Sequence, residues 1–340
     1  MFFIIKYIFY FLFKIIYSFI IVYLIGYLCY LLTFYHFSRK DKNFHKKHII
    51  IFGASQGLGQ AIALRLSKQG CKITLAARKE KLLKETKEKC ISNNKETQCE
   101  FYKCDINKIE NIKNVFNTSY KRFGFPSMII ITAGLASPGY LEDMPYDIYE
   151  NDMKLNYFGS LKVLKEFKSF YDLNKNDELI INKEEIEIVC TGSVLGLIGS
   201  ICYSVYCPTK YALKGLCDSL RFEFLGTNIK LHYYAPSNIK TPGFEKENEN
   251  KPQLCKEMEN NVKTISADDA AHYLLNNLDK YVIVTEPDLE ICKNGTAFMS
   301  EINFIDILIA PFAAIMVFIS RLNIDNNIIN KKNNIKIKND

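Results

Sequence analysis

From Ile15 to Phe37 the chain runs IIYSFIIVYLIGYLCYLLTFYHF, 23 residues without an Asp, Glu, Lys or Arg. At roughly 1.5 Å per residue such a run crosses a ~30 Å hydrocarbon core, and tyrosines near its ends suit the membrane interface. The pattern predicts a transmembrane helix within an N-terminal anchor at residues 1–38. It exceeds a signal-peptide core, and no small-x-small cleavage site follows it. A second apolar stretch, ILIAPFAAIMVFIS at 307–320, is 14 residues long and contains Pro311. It is short for a span, so residues 303–320 read as a membrane-spanning, re-entrant or interfacial segment, or as a buried helix on the domain. A polar basic tail follows at 321–340.

Between these runs the pattern changes to short apolar segments separated by amphipathic ones. HIIIFGA, CKITLAAR, CEFYKCDI, SMIIITAG and EIEIVCTGS read as buried strands. LGQAIALRLSKQG, stopping at Gly70, and the charged KEKLLKETKEKC read as helices between them. The alternation predicts an α/β fold, a doubly wound parallel sheet of Rossmann type in one domain at 45–300, with ligands at the carboxyl ends of its strands. DLNKNDELIINKEE at 172–185 reads as a polar insert before the fifth strand.

Charge sharpens this picture. The net +7 sits at the ends: residues 1–48 carry seven Lys/Arg against Asp41 alone, and residues 321–340 carry five against Asp325 and Asp340. The region between is near neutral, which argues for membrane flanks and against a nucleic-acid-binding face. The basic SRKDKNFHKK after the first apolar run places the domain on the cytoplasmic side. Asn117 and Asn294 stand in NTS and NGT sequons, which stay unmodified on that side. Eleven cysteines without a C-x-x-C, and five histidines without ligand spacing, point to a reducing compartment and to no metal site.

The first strand runs into GASQGLG, with Gly53, Gly57 and Gly59 leading into a helix. Glycines there let the backbone approach a pyrophosphate whose charge the helix start stabilises. At the end of the second strand AARKEK puts Arg78 and Lys79 where a carboxylate would select NAD. A guanidinium matches a 2′-phosphate, so NADPH is the expected cofactor; the alternative is an ordinary basic helix start. Asp105, ending the third strand, is a candidate for the adenine amino group or for a helix cap.

A Tyr-x-x-x-Lys spacing occurs at Tyr10/Lys14, Tyr171/Lys175 and Tyr206/Lys210. Only Tyr206 follows a serine, Ser193, placed just after a predicted strand, with Lys210 one helical turn beyond it. Together with the glycine loop, these residues make the chain resemble the short-chain dehydrogenase/reductase family from residue 48 to about 290. The resemblance implies that Ser193 polarises a carbonyl, that Tyr206 donates the proton, and that Lys210 lowers the tyrosine's pKa and holds the nicotinamide ribose. Asn156 in LNYFGS would order a water behind the lysine. By the same resemblance Ser55, Leu58, Ile106, Ala133, Gly134, Pro236, Ile239 and Thr241 join the cofactor site, Thr241 against the carboxamide. Two departures stand out: ITAG at 131–134 has Ile131 in place of an asparagine, and Ser237 follows Pro236 where many relatives have glycine.

Within the family, YYAPSNIKTPGFEKENENKP at 233–252 and VYCPTKYALKGL are similar to members that reduce 3-ketosphinganine to sphinganine with NADPH at the cytosolic face of the endoplasmic reticulum. The implied partners are a long-chain sphingoid ketone and membrane lipid, with a homo-oligomer allowed. The acidic FEKENEN could attract a cationic substrate, although such a run is more often a solvated helix face. Another lipid carbonyl (retinoid, steroid or acyl ketone), or a catalytically silent dinucleotide-binding scaffold, are the alternatives.

Overall fold

The computed structural model describes residues 42–260 and 262–285, together with residues 10, 13, 14 and 17–26 of the N-terminal segment. The second apolar stretch and the tail lie outside the described residues. Among the described residues no helix is long and apolar enough to cross a membrane. Residues 17–26 are helical, and apolar side chains such as Phe19 and Val22 are exposed there.

The continuous apolar runs form the strands β1 (His48–Phe52), β2 (Lys72–Ala77), β3 (Gln98–Lys103), β4 (Met128–Ile131), β5 (Ile186–Thr191) and β6 (Ile229–Ala235), and β9 (Val282–Val284) joins them. The seven are parallel in the order β3-β2-β1-β4-β5-β6-β9. A strand buried on both faces must be apolar at successive positions, as β1 is: Ile49 and Ile51 face one core, Ile50 and Phe52 the other. Helices α1 (Gly57–Ser67), α2 (Glu80–Asn93) and α10 (Ala267–Asn276) pack on the first face. Helices α3 (Ile109–Phe123), α5 (Ser160–Leu173) and α7 (Tyr206–Glu223) pack on the second, around the ring cluster of Phe116, Phe125, Phe167 and Phe170. The sheet order reverses between β1 and β4, which opens a crevice at the carboxyl ends of those strands.

Two segments cap that crevice. Helix α4 (Tyr146–Met153) passes through a π-helical turn, Lys154–Gly159, into α5. On the other side β7 (Asn238–Lys240) pairs with β8 (Thr264–Ser266), and α8 (Pro242–Asn250) and α9 (Gln253–Glu259) between them form a flap. The stretch at 172–185 is less featureless than its composition suggests. It holds a one-turn helix, α6 (Glu178–Ile181), because the Asp177 side chain accepts the Leu179 N–H and caps it.

At the amino end of the sheet Lys42 donates to Glu187 at 2.7 Å and to the Leu278 carbonyl at 3.3 Å. His232 pairs with the other Glu187 oxygen at 2.5 Å. Burial pushes the Glu187 carboxyl up, but the His232 and Lys42 contacts outweigh it and hold the group below its ordinary range. Lys42, five residues beyond the N-terminal apolar run, is thus fastened to the end of the sheet opposite the crevice.

Candidate active site

The crevice is a cleft of about 1940 Å³, larger than the ~300–1,000 Å³ of a typical small-molecule pocket and roomy enough for an extended ligand beside a second one. One end is the turn from β1 into α1. Gly57 adopts φ +59, a conformation that side chains disfavour. A Cβ on Gly59 would stand 2.4 Å from the Gly53 carbonyl and 2.5 Å from Thr132 Oγ1, so the turn closes only with glycine. Helix α1 starts at Gln56 with no side-chain cap and no acid in its first turn. Its first N–H groups are therefore available to an anion, as a pyrophosphate requires.

The remaining expected cofactor residues fall along this cleft. Ser55, Leu58, Arg78, Lys79, Asp105, Ile106, Ala133, Gly134, Pro236, Ile239 and Thr241 all line it. Arg78 and Lys79 are exposed just past β2, and Lys79 Nζ donates to Gln56 Oε1 at 3.3 Å, so they stand beside the glycine turn. Asp105 does not cap α3, whose start at Lys108 has no side-chain cap. Its Oδ1 instead accepts the Asn107 N–H at 3.0 Å. Thr241 accepts the Phe244 N–H at 3.1 Å and so caps α8. Its methyl group lies 3.1 Å from where a Gly57 Cβ would be, which brings the flap over the glycine turn.

The missing asparagine at Ile131 is made good one residue later. Ile131 packs into the core, and Thr132 Oγ1 donates to the Phe52 carbonyl at 3.0 Å while its N–H donates there at 2.8 Å. That pair ties the end of β4 to the end of β1, which keeps the loop floor fixed.

The other end of the cleft gathers Ser193, Tyr206, Lys210 and Asn156. Ser193 follows β5 and acts on the Tyr206 phenol, whose pKa it lowers, while its Oγ accepts the Leu195 N–H at 3.1 Å. Lys210 is buried, donates to the Thr191 carbonyl at 3.0 Å, and has its Nζ 5.5 Å from the Tyr206 ring centre. Asn156 is fully buried in the π-helical turn. Its Oδ1 accepts the Leu135 N–H at 3.0 Å, and its Nδ2 donates to the Leu135 carbonyl at 2.9 Å and to Thr209 Oγ1 at 3.0 Å. Asn156 therefore pins the loop after β4 to α7. Behind them Tyr233 fills the space that Gly192 and Gly196 leave, and its hydroxyl donates to the Lys210 carbonyl at 3.2 Å.

Desolvation, with Glu247 next, pushes the Tyr206 phenol up from its ordinary value. Burial lowers Lys210 itself to about 8. The phenol is thus held protonated at neutral pH, the state from which a proton can be given.

The other two Tyr-x-x-x-Lys pairs lie elsewhere. The Tyr171 hydroxyl donates to Asn228 Oδ1 at 2.7 Å and Lys175 pairs with Asp172, while Lys14 lies over the Tyr10 ring in the N-terminal segment.

Several residues at the site were not singled out from the sequence. Asp152 is buried beside Lys210, and desolvation raises it to about 6. Its Oδ1 accepts from Ser137 at 3.1 Å, and its Oδ2 has no hydrogen-bond partner. The readable signal was its place four residues before Asn156, on the same helical face. From the flap, Glu247, Lys251 and Glu259 meet Tyr203, three residues before Tyr206.

Three comparisons bear on this arrangement. The family model described as short chain dehydrogenase matches residues 47–252. The chain is 31% identical over 262 residues to the PIGF/3-ketodihydrosphingosine reductase fusion protein of Schizosaccharomyces pombe, covering 73% of this chain and about half, 49%, of that one. It is 29% identical over 292 residues to the 3-ketodihydrosphingosine reductase of Dictyostelium discoideum, covering 81% and 85% of the two chains. Among solved structures, a short chain dehydrogenase/reductase from Burkholderia phymatum in complex with NAD superposes with a TM-score of 0.64 at 18% identity, over 75% of this chain and 94% of that one. An actinorhodin polyketide ketoreductase with NADPH gives 0.61 at 19%, over 72% and 97%. At these identities the two structures speak for the fold alone.

The glycine turn yields a direct test. In Gly59→Ala the new methyl collides with backbone, so the rise in Tm expected on adding a nicotinamide dinucleotide should be lost. An undiminished rise would show that the dinucleotide binds elsewhere.

Proposed function

The chain belongs to the short-chain dehydrogenase family, and we propose that it is an oxidoreductase that reduces 3-ketosphinganine to sphinganine with NADPH. The observation that carries the reading is the meeting of Ser193, Tyr206 and Lys210 in one cleft with an uncapped glycine turn. Arg78 and Lys79 beside that turn support NADPH over NADH, since both offer positive charge to a 2′-phosphate. The names of the relatives support the sphingoid ketone as substrate.

When bound, the nicotinamide supplies the hydride. The chain's own groups do the rest. The carbonyl oxygen lies against Ser193 Oγ and Tyr206 Oη. As the carbonyl carbon gains the hydride, its π electrons move onto the oxygen. The Tyr206 phenol then transfers its proton to that oxygen and completes the alcohol. Lys210, held by the Thr191 carbonyl, places its ammonium near the phenolate that remains and stabilises it. Burial has brought Lys210 to about 8, so the lysine is also able to pass on a proton near neutral pH.

The exposed apolar helix at 17–26 supports residues 1–38 as a membrane anchor. We place the catalytic domain, residues 45–300, at the cytosolic face of the endoplasmic reticulum on the basic run after that anchor, with 303–320 as a membrane-associated segment.

Purified protein should oxidise NADPH with 3-ketosphinganine in preference to retinal or a steroid ketone. Tyr206→Phe should lower that turnover by about 10²-fold or more. Wild-type rates in the phenylalanine variant would overturn the mechanism, and preference for another ketone would overturn the substrate. NADPH binding without turnover of any ketone would instead favour the scaffold reading.

The pH profile follows from Lys210. Its ammonium is present below its pKa of about 8 and lost above it, so kcat should fall as pH rises through that range. Asp152 raises the lysine's pKa, so Asp152→Asn should move this alkaline limb to lower pH. An unmoved limb would assign it to another group.

A further inference from the structure

Glu247 on α8 and Glu259 on α9 both accept from Tyr203 Oη, at 2.5 and 2.8 Å. The Lys251 ammonium lies 3.1 Å from Glu247 Oε1 and 2.6 Å from Glu259 Oε2, and its side chain is 1% exposed. Tyr203 donates to Glu247 Oε1, and the nearest approach of Lys251 to that carboxylate is to the same oxygen. Glu247, Glu259 and Tyr203 line the cleft, and the Tyr203 and Tyr206 rings are 6.0 Å apart. Glu247 is the charged group that acts most strongly on the Tyr206 phenol.

The charges around that phenol do not cancel. Lys210 matches the buried Asp152, whose Oδ2 is unpartnered and which also acts on Tyr206. Lys251 matches one of the two glutamates, and the other remains. Asp143 and Lys246 also border the cleft, but both are exposed and of opposite sign. Arg78, Lys79 and Asp105 stand at the glycine-turn end. Carbonyl reduction builds negative charge on the substrate oxygen, and an unmatched carboxylate beside it opposes the reaction. A substrate that brings its own positive charge removes the conflict.

We infer that Glu247 makes this site selective for ketones bearing an ammonium group on the carbon next to the carbonyl. The inference deepens the proposed function and rests on it. An α-amino ketone has the N–C–C=O geometry of an amino-acid residue, so its nitrogen lies about 3 Å from its carbonyl oxygen. With the oxygen on Tyr206 and Ser193, an ammonium on the flap side of the phenol meets the Glu247 carboxylate. Glu247 is a specificity residue, and its effect is on which ketone binds.

The test compares 3-ketosphinganine with 1-hydroxyoctadecan-3-one, the same chain without the amine, using the purified full-length protein. The wild type should prefer the amine by about 30-fold or more in kcat/KM, as expected for losing one partner of a desolvated charge pair. Glu247→Gln keeps the size of the side chain and an oxygen for Tyr203, and should bring the two ketones close to parity. The change should come through KM for the amino ketone, with KM for NADPH unmoved. Tyr203→Phe loosens the flap but keeps both carboxylates, and should retain the preference for the amine. Equal wild-type activity on the two ketones, a full preference surviving in Glu247→Gln, or its loss in Tyr203→Phe would each overturn the inference and leave the reductase reading standing. Wild-type activity on neither ketone would overturn the substrate reading and this inference with it.

Discussion

The pair of hydrogen bonds from Thr132 to the Phe52 carbonyl fixes the point from which the rest of the site is built. It joins β1 to β4 where the strand order reverses, and its hydroxyl occupies space that a side chain at Gly53 or Gly59 would need. The glycine turn is therefore pressed against the floor of the crevice, and the start of α1 is aimed across it. Two residues further along the same loop, Gly134 approaches Asn156, which holds Leu135 from one side and Thr209 of α7 from the other. Thr209 precedes Lys210, so one continuous set of short contacts runs from the glycine turn to Lys210. A shift at either end would be transmitted to the other, because none of the intervening groups has space to absorb it.

This construction explains how a buried lysine and a protonated phenol coexist. Lys210 loses solvation, but the Asp152 carboxylate compensates in part, and it settles near 8, held in place by the Thr191 carbonyl. The same burial raises Tyr206, and the carboxylates of Glu247 and Asp152 raise it further. Such a site is better arranged to give a proton than to remove one, which suits the reductive direction. Lowering the phenol, the task the family resemblance gives to the lysine, matters most in the oxidative direction.

The fold was legible because a parallel sheet buried on both faces leaves no choice of residue type. HIIIF, KITLAA and MIII could be little else between amphipathic helices. The glycine turn and the Ser193–Tyr206–Lys210 set were legible for a similar reason: each is a local spacing with one geometry that satisfies it. What stayed hidden depends on the tertiary path. Nothing local to Thr132 shows that its hydroxyl reaches Phe52, 80 residues earlier. Asp152 and Asn156 share a face, but whether that face meets Lys210 depends on how α4 packs. In FEKENEN, Glu245 and Glu249 are solvated as a charge run suggests, while Glu247 turns inward because Tyr203 and Lys251 meet it there.

The two buried ionic clusters make the functional point by their contrast. At the amino end of the sheet, Glu187 has Lys42 and His232 on its two oxygens, and its negative charge is matched away from the cleft. At the carboxyl end the same ingredients are assembled with one carboxylate more than the lysine can match. Burying a charge is costly unless it is paired, so a carboxylate in excess beside the Tyr206 phenol is a burden on the folded state. In the first cluster the pairing fastens the segment that follows the N-terminal apolar run, and stability alone accounts for it. In the second, the carboxylates exceed the lysine by one charge, and a cationic ligand would match it. The cost carried by the free protein is then offset on binding, which turns a local instability into discrimination between ketones that are otherwise alike.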